Sequence, residues 1–159
     1  MHIREFTIED LEAVVALSLR AWGPVFPSIT EAYTPEIDAV LTTPDWPTEQ
    51  ARAVEAVCRD EDVRVWVATI DDALAGFTAL KVPDDKVLGE IYMLAVDPGF
   101  QGHGVGRALT QFALEEMKRR GVQVAMVETG GDPGHAPARK TYAGAGMHHV
   151  EVARYFKRL

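Results

Sequence analysis

The segment whose residue types and spacing point most directly to chemistry is Val96-Asp97-Pro98-Gly99-Phe100-Gln101-Gly102-His103-Gly104-Val105-Gly106-Arg107. It joins an apolar, strand-like run to an apolar-periodic helix. The first turn of a helix carries N–H groups without intrahelical acceptors, and the positive end of the peptide dipole, so it attracts phosphate. Glycines at alternate positions, Gly102, Gly104 and Gly106, let the backbone bend sharply and approach an anion with no Cβ in the way. The dipole alone contributes about 0.3–1 kcal/mol per favourable charge, so useful affinity takes several aimed N–H groups. Two other phosphate loops do not fit. A P-loop needs Lys and then Ser or Thr after its last glycine, where Arg107 and Ala108 stand here; a dinucleotide fingerprint begun at Gly104 would need glycine in place of Leu109. A tight strand–helix turn without a ligand remains the alternative, although such turns usually manage with one glycine.

The elements that must position this turn are readable on either side of it. Ile3 to Phe6 reads as a first strand, and Thr7 with Asp10 forms a capping-box pattern before a helix whose apolar stripe is Ile8, Leu11, Val14, Val15 and Ser18. Trp22-Gly23-Pro24-Val25-Phe26-Pro27, interrupted by two prolines and a glycine, reads as a loop lining a pocket. Thr34-Pro35 opens a short helix to Leu41, Pro44 to Pro47 makes a corner, and Thr48 caps a helix to about Arg59. Val63–Ile70, Leu74–Val82 and Val87–Val96 follow as an antiparallel meander with Asp71-Asp72 and Pro83 to Lys86 as turns. After the glycine turn a helix runs to Arg120, burying Val105, Ala108, Leu109, Phe112 and Met117, with Glu115–Arg119 and Glu116–Arg120 as i,i+4 pairs and Gly121 as its end. Val122–Glu128 is a strand, Pro137–Ala145 a short helix behind a Gly/Pro loop, and Met147–Phe156 a last strand.

The 159 residues fit one domain, spanning 1–159, with 47% hydrophobic and 25% charged residues supplying a single core. A net charge of −8 disfavours a role held to nucleic acid by phosphate contacts and leans toward cationic small molecules or peptides. Cys58 is the only cysteine and falls in a helical stretch, so it reads as packing. With no signal-like apolar run, no membrane-length segment and no disulfide, a cytoplasmic location is expected. His148-His149 point to opposite faces of a strand, and no ligand spacing supports a metal site.

At these residues the chain resembles the GNAT superfamily of N-acetyltransferases. The family signature, Gln/Arg-x-x-Gly-x-Gly/Ala after an apolar strand, is matched by Leu94-Ala95-Val96 followed by Gln101-Gly102-His103-Gly104-Val105-Gly106. A second element, Asn-x-x-Ala-x-x-x-Tyr-x-x-x-Gly-Phe, is matched from His135 through Ala138, Tyr142 and Gly146 to Met147, with His135 replacing asparagine and Met147 replacing phenylalanine. The resemblance implies an α/β fold around a mostly antiparallel sheet of six or seven strands, splayed between the fourth and fifth, with four to five helices. It implies acetyl-CoA in that cleft, its pantetheine arm on the backbone of Leu94, Ala95 and Val96 and its pyrophosphate on the N–H groups of Gln101 to Arg107. His135 and Ala138 would then adjoin the cofactor, and no metal is called for. A homodimer is a further expectation from the family.

Amide formation from a thioester needs a neutral amine, yet a lysine-type amine has a reference pKa of about 10.4 and arrives protonated. A carboxylate, directly or through a water, can remove that proton. Glu90 is the candidate base: four residues before Leu94 on one strand, it is expected to share that residue's face, and the same position holds a catalytic glutamate in several members of the resembled family. Tyr142 is the candidate acid for the departing sulfur. Direct attack in a ternary complex follows, since Cys58 lies outside both motifs. Trp22, Phe26 and Tyr33 are candidates for the acceptor pocket, whose amine, on a small molecule or a peptide, the sequence does not name. Core packing accounts equally well for some of these aromatics. A non-catalytic acyl-CoA-binding or sensing module is the competing class.

Overall fold

The computed structural model describes all residues from 1 to 159. A sheet in the order β1-β2-β3-β4-β5 forms its centre: β1 His2–Glu5, β2 Val63–Ile70, β3 Ala73–Lys81, β4 Leu88–Val96 and β5 Val124–Met126. The first four strands pair antiparallel, and β4 pairs with β5 in parallel. Six α-helices accompany it: α1 Leu11–Trp22, α2 Val25–Glu31, α3 Pro35–Leu41, α4 Trp46–Arg59, α5 Val105–Arg119 and α6 Ala136–Gly144.

Alternation along the strands distributes the core over both faces of the sheet. Val63, Val65 and Val67 of β2, with Phe77 and Ala79 of β3, meet Val14 and Leu17 of α1 and Val54 and Val57 of α4. Trp66, Leu80 and Ile91 face the other way, onto Ala113 and Met117 of α5, while Ala68 and Ala75 meet Val105 and Leu109. α5 is therefore clamped to the sheet by its whole inner stripe, and its N-terminus is fixed at the end of β4. No single helix is long and apolar enough to cross a membrane.

Several expectations need correction. The sheet has five strands rather than six or seven, and the helices number six rather than four to five. Trp22 to Pro27 is no loop: α1 runs to Trp22 and α2 starts at Val25. Pro24 stands before the first turn of α2 and Pro27 within it, where N–H groups have no intrahelical acceptor to lose. For the same reason α4 starts at Trp46, with Pro47 in its first turn, and not behind Thr48. The segment Met147–Phe156 forms no strand; its Val150 and Val152 are 71% and 78% exposed. Glu116, rather than Glu115, gathers both arginines at the end of α5, pairing with Arg119 and, at 2.6 Å, with Arg120. The Thr7–Asp10 box is present: the Thr7 N–H donates to the Asp10 carboxylate at 2.9 Å.

Candidate functional site

β4 and β5 pair only over Leu88–Glu90 against Val124–Met126, and β4 continues to Val96 with no strand on its outer edge. The sheet thus forks just past Glu90, leaving the main chain of Ile91 to Val96 open on one side. At the far end of this edge the chain bends through Pro98–Phe100 into the glycine turn.

In that turn Gly102 and Gly104 both sit at φ +80°, a left-handed conformation that glycine adopts without strain. Gly104 precedes α5 and, having no side chain, leaves the helix start uncapped. The N–H of Ala108 bonds back to the Gly104 carbonyl, but those of Gly102, Gly104, Val105, Gly106 and Arg107 have no acceptor outside the helix, and the last three lie in its first turn. A Cβ added at Gly102 or Gly104 would meet no atom of the chain within 4 Å. Packing therefore does not demand these glycines; their left-handed backbone does. That geometry fits a diphosphate. At Gly106 an added Cβ would touch Val96 and Thr141 at ordinary distances of 3.5 and 3.8 Å, so α6 reaches the start of α5 here.

The other expected donor-site residues fall around this fork. Leu94 and Val96 pack toward α5, whereas Ala95 enters the core beneath α1 and α4. Gln101 turns its amide back to the Val96 carbonyl at 3.4 Å, His103 Nδ1 lies 3.0 Å from the Gln101 carbonyl, and Arg107 is exposed. A shallow cavity of about 360 Å³, lined by Gly104, Arg107, Ala108, Gln111, Phe112 and Glu115, borders the turn. A larger one of about 440 Å³ lies at the opposite end of the sheet among Arg64, Lys86, Arg120, Glu61 and Asp84; its mixed charges face neither motif.

Glu90 occupies the last paired rung of the fork, directly across β3 from Lys81. It does not share a face with Leu94. The register slips between Ala79/Met93 and Leu80/Ile91, so Tyr92 is an extra residue bulged out of the ladder. The Thr78 hydroxyl donates to the Met93 carbonyl at 3.2 Å beside this bulge, and the Lys81 ammonium lies 3.2 Å from the centroid of the Tyr92 ring. Alternation across the bulge turns Glu90 to the face of α1 and α4. Tyr142 lies on α6, next to the Thr141 that adjoins Gly106; burial pushes its phenol up to about 12.

His135 is held by Asp132, Nδ1 to Oδ1 at 2.5 Å. Burial would raise the Asp132 carboxyl, but the hydrogen bond with His135 and the nearby Ser28 hydroxyl outweigh it and hold the group below the usual carboxylate range. Ala138 follows on α6, half-buried. Ser28 of α2 also accepts the Gly134 N–H at 2.8 Å, which seats α2 on the loop after β5. Of the acceptor-side aromatics, Phe26 stacks on Trp46 at 4.3 Å, Trp22 turns inward against Phe77 at 6.4 Å, and Tyr33 meets Phe156 edge-on at 5.3 Å. Burial pushes the Cys58 thiol up to about 11, which suppresses the nucleophilic thiolate. Sequence reasoning missed the Tyr92 bulge, the Ser28–Gly134 latch and an ion pair between Arg20 and Asp97. None carries a local pattern; only the aspartate before Pro98 hinted at a turn cap.

Comparison with known proteins settles the family. Residues 26–147 match the acetyltransferase (GNAT) family. The chain belongs to that family. Among GNAT relatives, it is 46% identical over 82 residues to a mycothiol acetyltransferase of Beutenbergia cavernae, covering 52% of this chain and 27% of that protein. It is 35% identical over 107 residues to a mycothiol acetyltransferase of Thermomonospora curvata, covering 67% of this chain and 35% of the relative. The chain thus spans only about a quarter to a third of the length of these two relatives. The GNAT fold itself is matched by the PaiA N-acetyltransferase of Thermoplasma acidophilum in complex with coenzyme A, with TM-score 0.67, 20% identity and coverage of 91% and 87% of the two chains. A mutant of the BH1408 protein from Bacillus halodurans aligns over 100% of both chains, with TM-score 0.72 and 20% identity.

Proposed function

We propose that residues 1–159 act as one N-acetyltransferase domain, moving an acetyl group from acetyl-CoA to a primary amine by direct attack. The observation that carries this reading is the set of N–H groups without acceptors at Gly102 and at Gly104 to Arg107, with no atom within 4 Å of a Cβ placed on Gly102 or Gly104. Acetyl-CoA supplies the activated acyl group and a thiol leaving group. The chain's own part is to hold and orient it. The glycine turn binds the pyrophosphate, and the open edge of β4 from Leu94 to Val96 offers backbone partners to the pantetheine amides. Glu90 takes the proton of the incoming ammonium, directly or through a water. A main-chain N–H beside the Tyr92 bulge supports the charge that develops on the carbonyl oxygen. Tyr142, whose phenol burial holds in its protonated form, gives its proton to the departing sulfur, and the second proton shed by the attacking nitrogen restores the phenol through solvent.

The acceptor lies under α1, α2 and Phe26. The net charge of −8 favours a cation. The acceptor panel takes mycothiol-type amines first, because the curated relatives carry that name, then aminoglycosides, polyamines and peptide amines. The test is titration calorimetry with coenzyme A, followed by thiol release from acetyl-CoA with each amine. Binding with turnover is the expected result. Binding with no turnover on any amine would favour an acyl-CoA sensor, and no binding would end the proposal.

A further inference from the structure

The bend that leads from β4 into the glycine turn is fixed by one side chain, Asp97. Its Oδ1 accepts the Gly99 N–H at 2.8 Å, its own N–H donates to the Ala75 carbonyl of β3 at 2.9 Å, and its carbonyl accepts the Phe100 N–H at 2.8 Å. The remaining oxygen, Oδ2, accepts from both Nε and Nη2 of Arg20 on α1, at 2.8 and 2.6 Å. Burial would raise the Asp97 carboxyl, but the bonds from Gly99 and Arg20 hold it below the usual range. The Arg20 side chain is 55% exposed against 13% for Asp97, and an ion pair with one partner so open to water contributes modestly to folding. What it does constrain is direction: with two donors on one oxygen, the carboxylate cannot rotate away from Gly99.

We infer that Arg20 is a positioning residue for the acyl donor: through Asp97 it holds the Pro98–Gly104 bend so that the N–H groups of Gly102 and Gly104 to Arg107 converge on one pyrophosphate. The inference rests on the reading of that turn as the pyrophosphate site. Because Arg20 stands on α1, two residues before Trp22 and five before the start of α2, the same contact links the donor's grip to the helices over the acceptor. Arg4 and Asp10 provide an internal control. They form a comparable two-bond pair, both at 2.7 Å, beside β1 and away from the turn.

The experiment compares the intact protein with Arg20→Ala, Arg20→Lys and Arg4→Ala. Each is titrated with coenzyme A and assayed with acetyl-CoA and with S-acetylpantetheine, which lacks the pyrophosphate. Arg20→Ala is expected to weaken coenzyme A binding and raise the acetyl-CoA KM about tenfold, a usual size for coupling between sites, with kcat nearly unchanged. Arg20→Lys should recover part of the loss. Arg4→Ala should lower Tm at least as much as Arg20→Ala yet leave the KM alone. With S-acetylpantetheine, Arg20→Ala should match the wild type. Equal coenzyme A affinity in Arg20→Ala, or the same loss with the truncated donor, overturns the inference. A wild type that binds no coenzyme A overturns the pyrophosphate assignment, and the inference with it.

Discussion

Ile91 and Leu94, three residues apart on β4, pack toward the same helix, α5. A regular strand would place them on opposite faces, so the chain between them takes one extra step at Tyr92. That step re-aims everything before it, and Glu90 emerges beneath α1 and α4, opposite Lys81. Glu90→Gln keeps the shape and removes the proton acceptor. The expected outcome is a fall in kcat of order 10²-fold with coenzyme A affinity unchanged, read by steady-state kinetics and calorimetry. An unaltered kcat would dismiss Glu90 as the base.

Tyr142 titrates at about 12, against an ordinary tyrosine value of about 10. The folded protein therefore keeps this proton where the unfolded chain loses it, and stability should drop as pH climbs between those two values. Tyr142→Phe should flatten that alkaline loss in thermal melts at pH 9 to 11, taking roughly the reference value as the onset. It should also lower kcat without weakening coenzyme A binding. Retained activity would remove the phenol from the mechanism.

Gly104→Ala separates binding from folding. The left-handed backbone at φ +80° costs an alanine roughly 1–2 kcal/mol, and no neighbour crowds the added carbon. The carbon would instead protrude into the space before the free N–H groups. Coenzyme A affinity should fall well beyond what the modest drop in Tm suggests, and S-acetylpantetheine kinetics should change little. A loss of Tm without a loss of affinity would contradict this.

Gly134→Ala acts at the other wall. Its Cβ would stand 2.9 Å from Ser28 Cβ and 3.1 Å from Val25 Cα, so α2 must move off the loop after β5. Overcrowding of this kind costs about 1–3 kcal/mol. The KM for the acceptor amine should rise while the coenzyme A dissociation constant holds. An unchanged acceptor KM would mean that α2 does not line the acceptor site.

Local signals sufficed wherever a segment's own pattern decides its structure. The stripe on α5, the glycines at its start and the turns that bound β2, β3 and β4 are all readable because each records a periodic or conformational demand made within a few residues. α2 is not legible because proline reads as a breaker unless it falls before or within a helix's first turn, and no local pattern marks Val25 as that start. The chain after Met147 misled for the opposite reason. Val150 and Val152 alternate as strand residues do, but a strand exists only with a ladder partner, and none lies beside them. The slip at Tyr92 is set by what stands across from β4, so the expected face of Glu90 was wrong although its element was right. Arg20 and Asp97, far apart in the chain, met only once α1 lay on the sheet.

The free rim of β4 from Ile91 to Val96 has a consequence for how such a protein diversifies. In the proposed reading the donor is gripped there by peptide groups, which every amino acid supplies alike. Mutation at Leu94 or Val96 is then screened by fit against α5 and hardly at all by the coenzyme. New acceptors can be accommodated by redrawing α1, α2 and the chain after Gly146, while the handle that takes up the donor passes unchanged from one specificity to the next.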